Sequence, residues 1–163
     1  IAGFLTTVNL IGNGTLTLLR HREQLEILRR KPALYESAIE ELLRFDGPLE
    51  LSSVSYAASD FEMGGQIIPR GAPVRVLLPS ANRDESVFAD PDSLNVARDP
   101  NPHLSFGQGI HYCLGAPLAR LEGRIAIRML IERAPGLRIA DPHHVKWQPH
   151  PILRGLQQLS LQF

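Results

Sequence analysis

One cysteine, Cys113, stands in the stretch FGQGIHYCLGAPLAR, residues 106–120, among three glycines and a histidine. A sulfur just ahead of a helix start lies near the positive end of the helix dipole and near amides without helical partners, and both favour thiolate over thiol. Gly107, Gly109 and Gly115 clear side chains from around it, so a large flat object such as a metal-bearing ring can approach the backbone. Two other readings share these residues. An inert, buried cysteine in a glycine-rich turn follows from the burial habit of the residue. Zinc held by His103, His111 and Cys113 is a third reading, although the paired spacing of CxxC sites is missing. Elsewhere, Glu41 and Arg44 in ELLR fall at i and i+3, on one helical face and within reach of a bidentate pair. Exposed, such a pair contributes only about 0.2–0.5 kcal/mol.

The elements that must position these residues read as helices first, short strands next, then a long irregular stretch and a last helix. Residues 1–19 are apolar, but they lack a basic leader and a cleavage site, and Asn9, Asn13 and four threonines interrupt them. They predict a buried helix of a soluble protein. The pattern is already running at Ile1 with no cap, so the chain reads as a piece of a longer protein. Helices are predicted over 21–30 and over 33–45, the latter entered through Pro32 and ended by Asp46-Gly47-Pro48. Strands follow around 51–58, 61–63, 66–68 and 73–77, with Gly64-Gly65 as a hairpin turn. Residues 79–105 show little periodicity, and such a stretch inside a domain is usually functional or held by something else. Residues 116–133 form the clearest helix, with Leu118, Leu121, Ile125 and Met129 on one side and Arg120, Arg124 and Arg128 on another. The tail QLSLQF alternates like an edge strand, and no internal repeat is present.

Composition narrows the function classes. The 17 basic and 17 acidic residues cancel and form no block, which argues against nucleic-acid binding. A single cysteine makes no internal disulfide and fits a reducing cytoplasm. No membrane association is expected.

FGQGIHYCLG, Phe106 to Gly115, matches the FGxGxHxCxG haem loop of the cytochrome P-450 family, and APLARLEGRIAI after it resembles the following helix in soluble bacterial members. Glu41-Leu42-Leu43-Arg44 resembles the family's ExxR element, and Ala2-Gly3-Phe4-Leu5-Thr6-Thr7 resembles the AGxxT stretch of the long helix that crosses the haem. The order along the chain agrees as well. The resemblance implies the C-terminal portion of a cytochrome P-450 fold, mainly α with small β-sheets (α+β), with residues 1–163 forming the haem-binding part of one domain. It implies haem b (iron protoporphyrin IX) with Cys113 as axial ligand, Phe106 beside the sulfur and His111 on a propionate. Gly3 would thin the long helix, and the Thr6 hydroxyl, able to bond a carbonyl one turn earlier, would line the oxygen pocket. Glu41 and Arg44 would be a buried structural pair.

The implied activity is haem-thiolate monooxygenation of an apolar small molecule, with electrons from NAD(P)H through a ferredoxin or flavoprotein. Pocket-lining candidates are Phe4, Leu51, Ile152 and Leu153. Arg120, Arg124 and Arg128 could offer an acidic ferredoxin a basic stripe, or form an ordinary solvated face with Glu122 and Glu132. Three positions depart from the family pattern. Leu5 stands where many members carry an acid that relays protons, Ser55 where many bacterial relatives place a propionate-binding arginine, and Ser93 near an arginine that completes the ExxR network. Arg83 and Arg98 are the candidate substitutes for that last arginine. Leu5 also suits a peroxide-using variant, and a catalytically silent homologue acting as a partner or scaffold is the alternative from another class.

Overall fold

The computed structural model describes residues 3–163. Three helices carry the core: α1 (Leu5–Arg20), α3 (Tyr35–Asp46) and α5 (Ala116–Arg133), with the shorter α2 (Arg22–Arg30) folded back beside α1. Leu10 and Leu18 of α1, Leu25 and Leu28 of α2, Ile39, Leu42 and Leu43 of α3 and Ile127 of α5 meet in one cluster with almost no exposure. Leu94 and Val96, from the irregular stretch, complete it. Burial of several such side chains, at roughly 1.5–3 kcal/mol each, is what makes α3 the centre of the molecule.

α3 is entered through a single 3-10 turn at Pro32–Leu34, where the missing proline N–H costs nothing. The chain leaving α3 runs extended beside the C-terminal segment, with Leu49 opposite Leu153 and Leu51 opposite Leu77. Arg154 fastens this junction: its Nε pairs with Asp46 Oδ1 at 2.5 Å and its guanidinium lies 3.7 Å over the Trp147 ring. Four small antiparallel ladders surround the helices. β1 (Ser55–Tyr56) pairs with β4 (Pro73–Val74), and β2 (Phe61–Met63) with β3 (Gln66–Ile68). β5 (Arg138–Ile139) pairs with β8 (Leu161–Gln162), and β6 (Lys146–Trp147) with β7 (Leu156–Gln158). Gly64 and Gly65, at φ 59° and 77°, form the tight turn predicted between β2 and β3. Residues 79–105 hold only the end of one helical turn, α4 (Leu78–Ala81), as their composition predicts.

Two expectations are corrected. The first helix begins at Leu5, not at residue 1: Gly3 has φ +85°, outside the helical range, so it does not thin the helix, and Ile1 and Ala2 lie outside the described residues. The apolar side of α5 is also not the side that meets α1 and α3. Leu118, Leu121, Ile125 and Met129 are all exposed, and the helix turns Ala116, Gly123, Ile127 and Ile131 inward instead. At Gly123 this face has no side chain, because Leu10 of α1 and Ile39 of α3 pass close to it. A Cβ on Gly123 would sit 3.1 Å from Leu10 Cδ2 and 3.6 Å from Ile39 Cδ1. Gly123→Leu is therefore predicted to lower unfolding free energy by about 1–3 kcal/mol through overpacking. A urea denaturation midpoint equal to that of the parent protein would show that the crossing has room to spare.

Candidate functional site

The site is built outward from Glu41 on α3. Glu41 and Arg44 face each other with fully buried side chains, Arg44 Nε donating to Oε2 at 2.7 Å and Nη2 to Oε1 at 2.9 Å. Arg98 donates from Nε to the same Oε2 at 3.0 Å, Asn101 Nδ2 donates to it at 3.2 Å, and the Asn95 N–H reaches Oε1 at 2.9 Å. Of the two candidate substitutes for the missing arginine, Arg98 thus completes the network. Arg83 turns away, to the Phe45 carbonyl and Asp92. Two buried guanidiniums exceed one carboxylate, and the remaining N–H groups find backbone carbonyls. Arg44 donates to Asn82, Pro91 and Ser93, and Arg98 to Ala89, Asp90 and Ser93. The otherwise structureless residues 79–105 are therefore wrapped on a charge centre.

The neighbouring Glu40 points to a different group. Its Oε1 accepts Arg120 Nε at 2.7 Å, and its Oε2 accepts Arg120 Nη2 at 2.8 Å and His103 Nε2 at 3.0 Å. Burial, the largest single influence, pushes the Glu40 carboxyl up, but the hydrogen bonds and charges of His103 and Arg120 together outweigh it and bring its pKa from 4.5 down to about 2. The hydrogen bond to Glu40, foremost, also holds the Arg120 guanidinium above its ordinary value.

From this base rises the cysteine loop. Asn82 Nδ2 donates to Ser105 Oγ, which donates to the Leu43 carbonyl, and the Leu104 N–H reaches Asn82 Oδ1, so the ascending leg is tied to α3. The Phe106 ring packs against the core cluster with Arg120 4.5 Å over its face. Gly107 and Gly109 have φ +74° and +76°, which residues with a Cβ adopt only with strain. A 3-10 turn over Gly109–His111 reverses the chain, and the Cys113 N–H closes the loop on the Phe106 carbonyl at 2.9 Å. Gly115 then caps α5. A Cβ there would stand 3.9 Å from Cys113 Sγ.

Residues 17–134 match the family model for cytochrome P-450. The chain belongs to the cytochrome P-450 family. It is 46% identical over 162 residues to the polyketide biosynthesis cytochrome P-450 PksS of Bacillus subtilis, covering 99% of this chain and 40% of that one. It is 44% identical to the cytochrome P-450 monooxygenase PikC of Streptomyces venezuelae, over 100% of this chain and 39% of that one. The crystal structure of P450BioI with an acyl carrier protein ligated to hexadec-9Z-enoic acid superposes with a TM-score of 0.95 at 47% identity, covering 100% of this chain and 42% of that one. The chain thus spans about two fifths of the length of these relatives and has their fold, helical with small sheets.

Family membership implies haem, and the residues present fit it. Cys113 is exposed, and Ile110 and Leu114 flank it at 97% and 98% exposure, apolar side chains whose burial needs a large apolar body laid against the loop. Among the described residues, the N–H groups of Leu114 and Gly115 donate to no backbone carbonyl, and the His111 ring is exposed without a hydrogen-bond partner. The zinc reading finds no support, since no group of three or more His, Cys, Asp or Glu able to hold a metal ion occurs among the described residues. The inert buried cysteine is overturned by the exposure of Cys113.

The other expected residues lie as follows. Thr6 is in the first turn of α1, and Ala2, the residue one turn before it, is outside the described residues. The threonine that bonds back along this helix is Thr15, to the Ile11 carbonyl at 2.7 Å. Phe4 is 69% exposed just before α1, Leu51 and Ile152 are half-buried on adjoining extended segments, and Leu153 is buried. The basic stripe is neutralised: Arg120 pairs with Glu40, Arg124 with Glu36 and Arg128 with Glu132. No described helix is long and apolar enough to cross a membrane. The sequence reading missed Glu40, Asn95 and Asn101, and it offered His103 only as a zinc ligand, not as a partner of Glu40. Only the doubled acid at 40 and 41 hinted at a second carboxylate function.

Glu41→Gln would strand two buried guanidiniums and is predicted to cost about 3–5 kcal/mol of stability. A loss below about 1 kcal/mol in urea denaturation, the value of a surface pair, would contradict the network. Glu40 gives a pH signature. Its folded pKa lies below 4.5, so its contribution is complete above that pH and is lost as pH falls toward about 2. The stability gap between the parent protein and Glu40→Gln should narrow across that window, and a constant gap would contradict the assignment.

Proposed function

We propose that residues 1–163 are the C-terminal, haem-binding part of a single cytochrome P-450 domain, and that the whole protein is a haem-thiolate monooxygenase. The observation that carries this reading is the sole cysteine, presented on a glycine loop between two exposed aliphatic side chains and anchored from below by buried ion pairs. When bound through a thiolate, haem activates dioxygen for insertion of one oxygen atom into a C–H bond.

The chain's residues divide the remaining work. The Cys113 thiolate would hold haem b, iron protoporphyrin IX. Gly107, Gly109 and Gly115 keep the ring's approach clear, and Phe106 buttresses the loop beneath the sulfur. His111, exposed and unpaired among the described residues, is the propionate donor, a role given weight by Ser55, which supplies no cation. Thr6, at the head of α1, is the oxygen-pocket hydroxyl, with Gly3 three residues before it. Leu5 holds no proton, so protons must arrive through Thr6, water or substrate.

Phe4, Leu51 and Ile152 are the apolar side chains that would meet substrate, and Leu153, bridged to Leu49, is buried next to Ile152 in the chain. Such a surface suits an apolar small molecule, as do relatives named for polyketide biosynthesis and a neighbour holding a fatty-acyl carrier protein. Electrons come from NAD(P)H through a ferredoxin or flavoprotein. Because Arg120, Arg124 and Arg128 are each neutralised, that donor docks on other charges. A cytoplasmic location agrees with the single free thiol.

The direct test is the absorption spectrum of the dithionite-reduced, CO-treated holoprotein. A strongly red-shifted Soret band is predicted, and Cys113→Ala should lose it. A folded, haem-loaded protein with an unshifted band, or an unchanged band in Cys113→Ala, would refute the reading.

A further inference from the structure

Glu40 grips both legs of the cysteine loop with one carboxylate. On the ascending leg, His103 accepts the Ser105 N–H at Nδ1 at 3.2 Å, so the ring hydrogen sits on Nε2 and is donated to Glu40 Oε2 at 3.0 Å. The His103 side chain is only 3% exposed, which leaves Glu40 as the partner that fixes its ring. On the descending side, Arg120 meets Glu40 through a two-pronged fork at 2.7 and 2.8 Å. That same guanidinium donates from Nη1 to the Tyr112 hydroxyl at 3.0 Å and lies over the Phe106 ring. Tyr112 immediately precedes Cys113, and the Phe106 carbonyl accepts the Cys113 N–H. Each group that brackets the sulfur therefore leads back to Glu40 within two contacts.

We propose that Glu40 is a positioning residue for Cys113, acting through Arg120 and His103 to fix the direction in which the sulfur is presented. The inference rests on Cys113 being the haem ligand. Glu41 cannot serve in its place, because both of its oxygens are taken by Arg44, Arg98, Asn95 and Asn101. Without the Glu40 charge, Arg120 keeps one exposed phenol and an aromatic face, contacts too weak to hold a guanidinium against water. The loop would then hold its fold through Asn82 and Ser105 but lose the orientation of its outer turn.

The test compares wild type, Glu40→Gln, Glu40→Asp and Arg120→Lys as haem-loaded holoproteins, reading the CO band, the iron reduction potential and the urea midpoint. In Glu40→Gln the ratio of unshifted to red-shifted band should rise about tenfold or more, corresponding to ~1.4 kcal/mol. Its potential should move positive through loss of a nearby negative charge. Glu40→Asp, which keeps the charge, should recover most of the red-shifted band. Arg120→Lys, which keeps the charge without the fork, should shift the ratio as Glu40→Gln does, and decides the matter should Glu40→Gln fail to fold. Band ratio and potential equal to wild type in Glu40→Gln or Arg120→Lys would overturn the inference. So would band loss that merely follows global unfolding. A wild-type protein without the red-shifted band would instead overturn the ligand reading and this inference together.

Discussion

Arg44 and Arg98 meet on one buried carboxylate, Glu41, and together they gather the carbonyls of Asn82, Ala89, Asp90, Pro91 and Ser93 around α3. That stretch has almost no regular hydrogen bonding of its own, so its backbone carbonyls need donors when the chain folds over them. The two guanidiniums supply those donors, and Glu41 supplies the charge that lets guanidiniums sit inside. The arrangement is costly if incomplete, since removal of any member leaves buried charge or unpaired carbonyls behind. It also explains why Leu94 and Val96, far from α3 in sequence, reach its hydrophobic face.

α3 thereby serves two functions on successive residues. Glu41 faces inward and organises the irregular stretch, while Glu40 faces the cysteine loop and ties it to α5 through Arg120. Asn82 joins the two systems: its carbonyl accepts from Arg44 and its side chain holds Leu104 and Ser105, where the loop begins. A flat cofactor laid on Cys113 would thus rest on a platform braced against the best-buried helix. Such bracing suits a ligand whose geometry must survive the binding and release of other molecules.

Much of this was legible in the sequence where a local rule decides the outcome. The helix over 116–133, the Gly64-Gly65 hairpin and the ELLR pair depend on residues close together in the chain, and they fold as those residues dictate. The glycine loop was legible because positive φ at Gly107 and Gly109 excludes most other residues. What escaped depends on partners distant in sequence. Periodicity grouped Leu118, Leu121, Ile125 and Met129 on one side of α5, yet it is the face bearing Gly123 that α1 and α3 approach closely. The three arginines of α5 read either as a stripe of charge or as a solvated face, and only the fold pairs Arg120 and Arg124 with Glu40 and Glu36 of α3, while Arg128 pairs with Glu132 on α5 itself. No spacing rule links Glu40 to His103 or Glu41 to Arg98, because the connection is made in space by a loop without period.

The proposed ligation requires a sulfur–iron bond at the crest of this platform. X-ray absorption at the iron edge of the holoprotein measures it without reference to turnover. One sulfur ligand is predicted in the parent protein and none in Cys113→Ala. Iron surrounded only by nitrogen and oxygen in the folded parent, or a sulfur ligand that persists in the variant, would contradict the account.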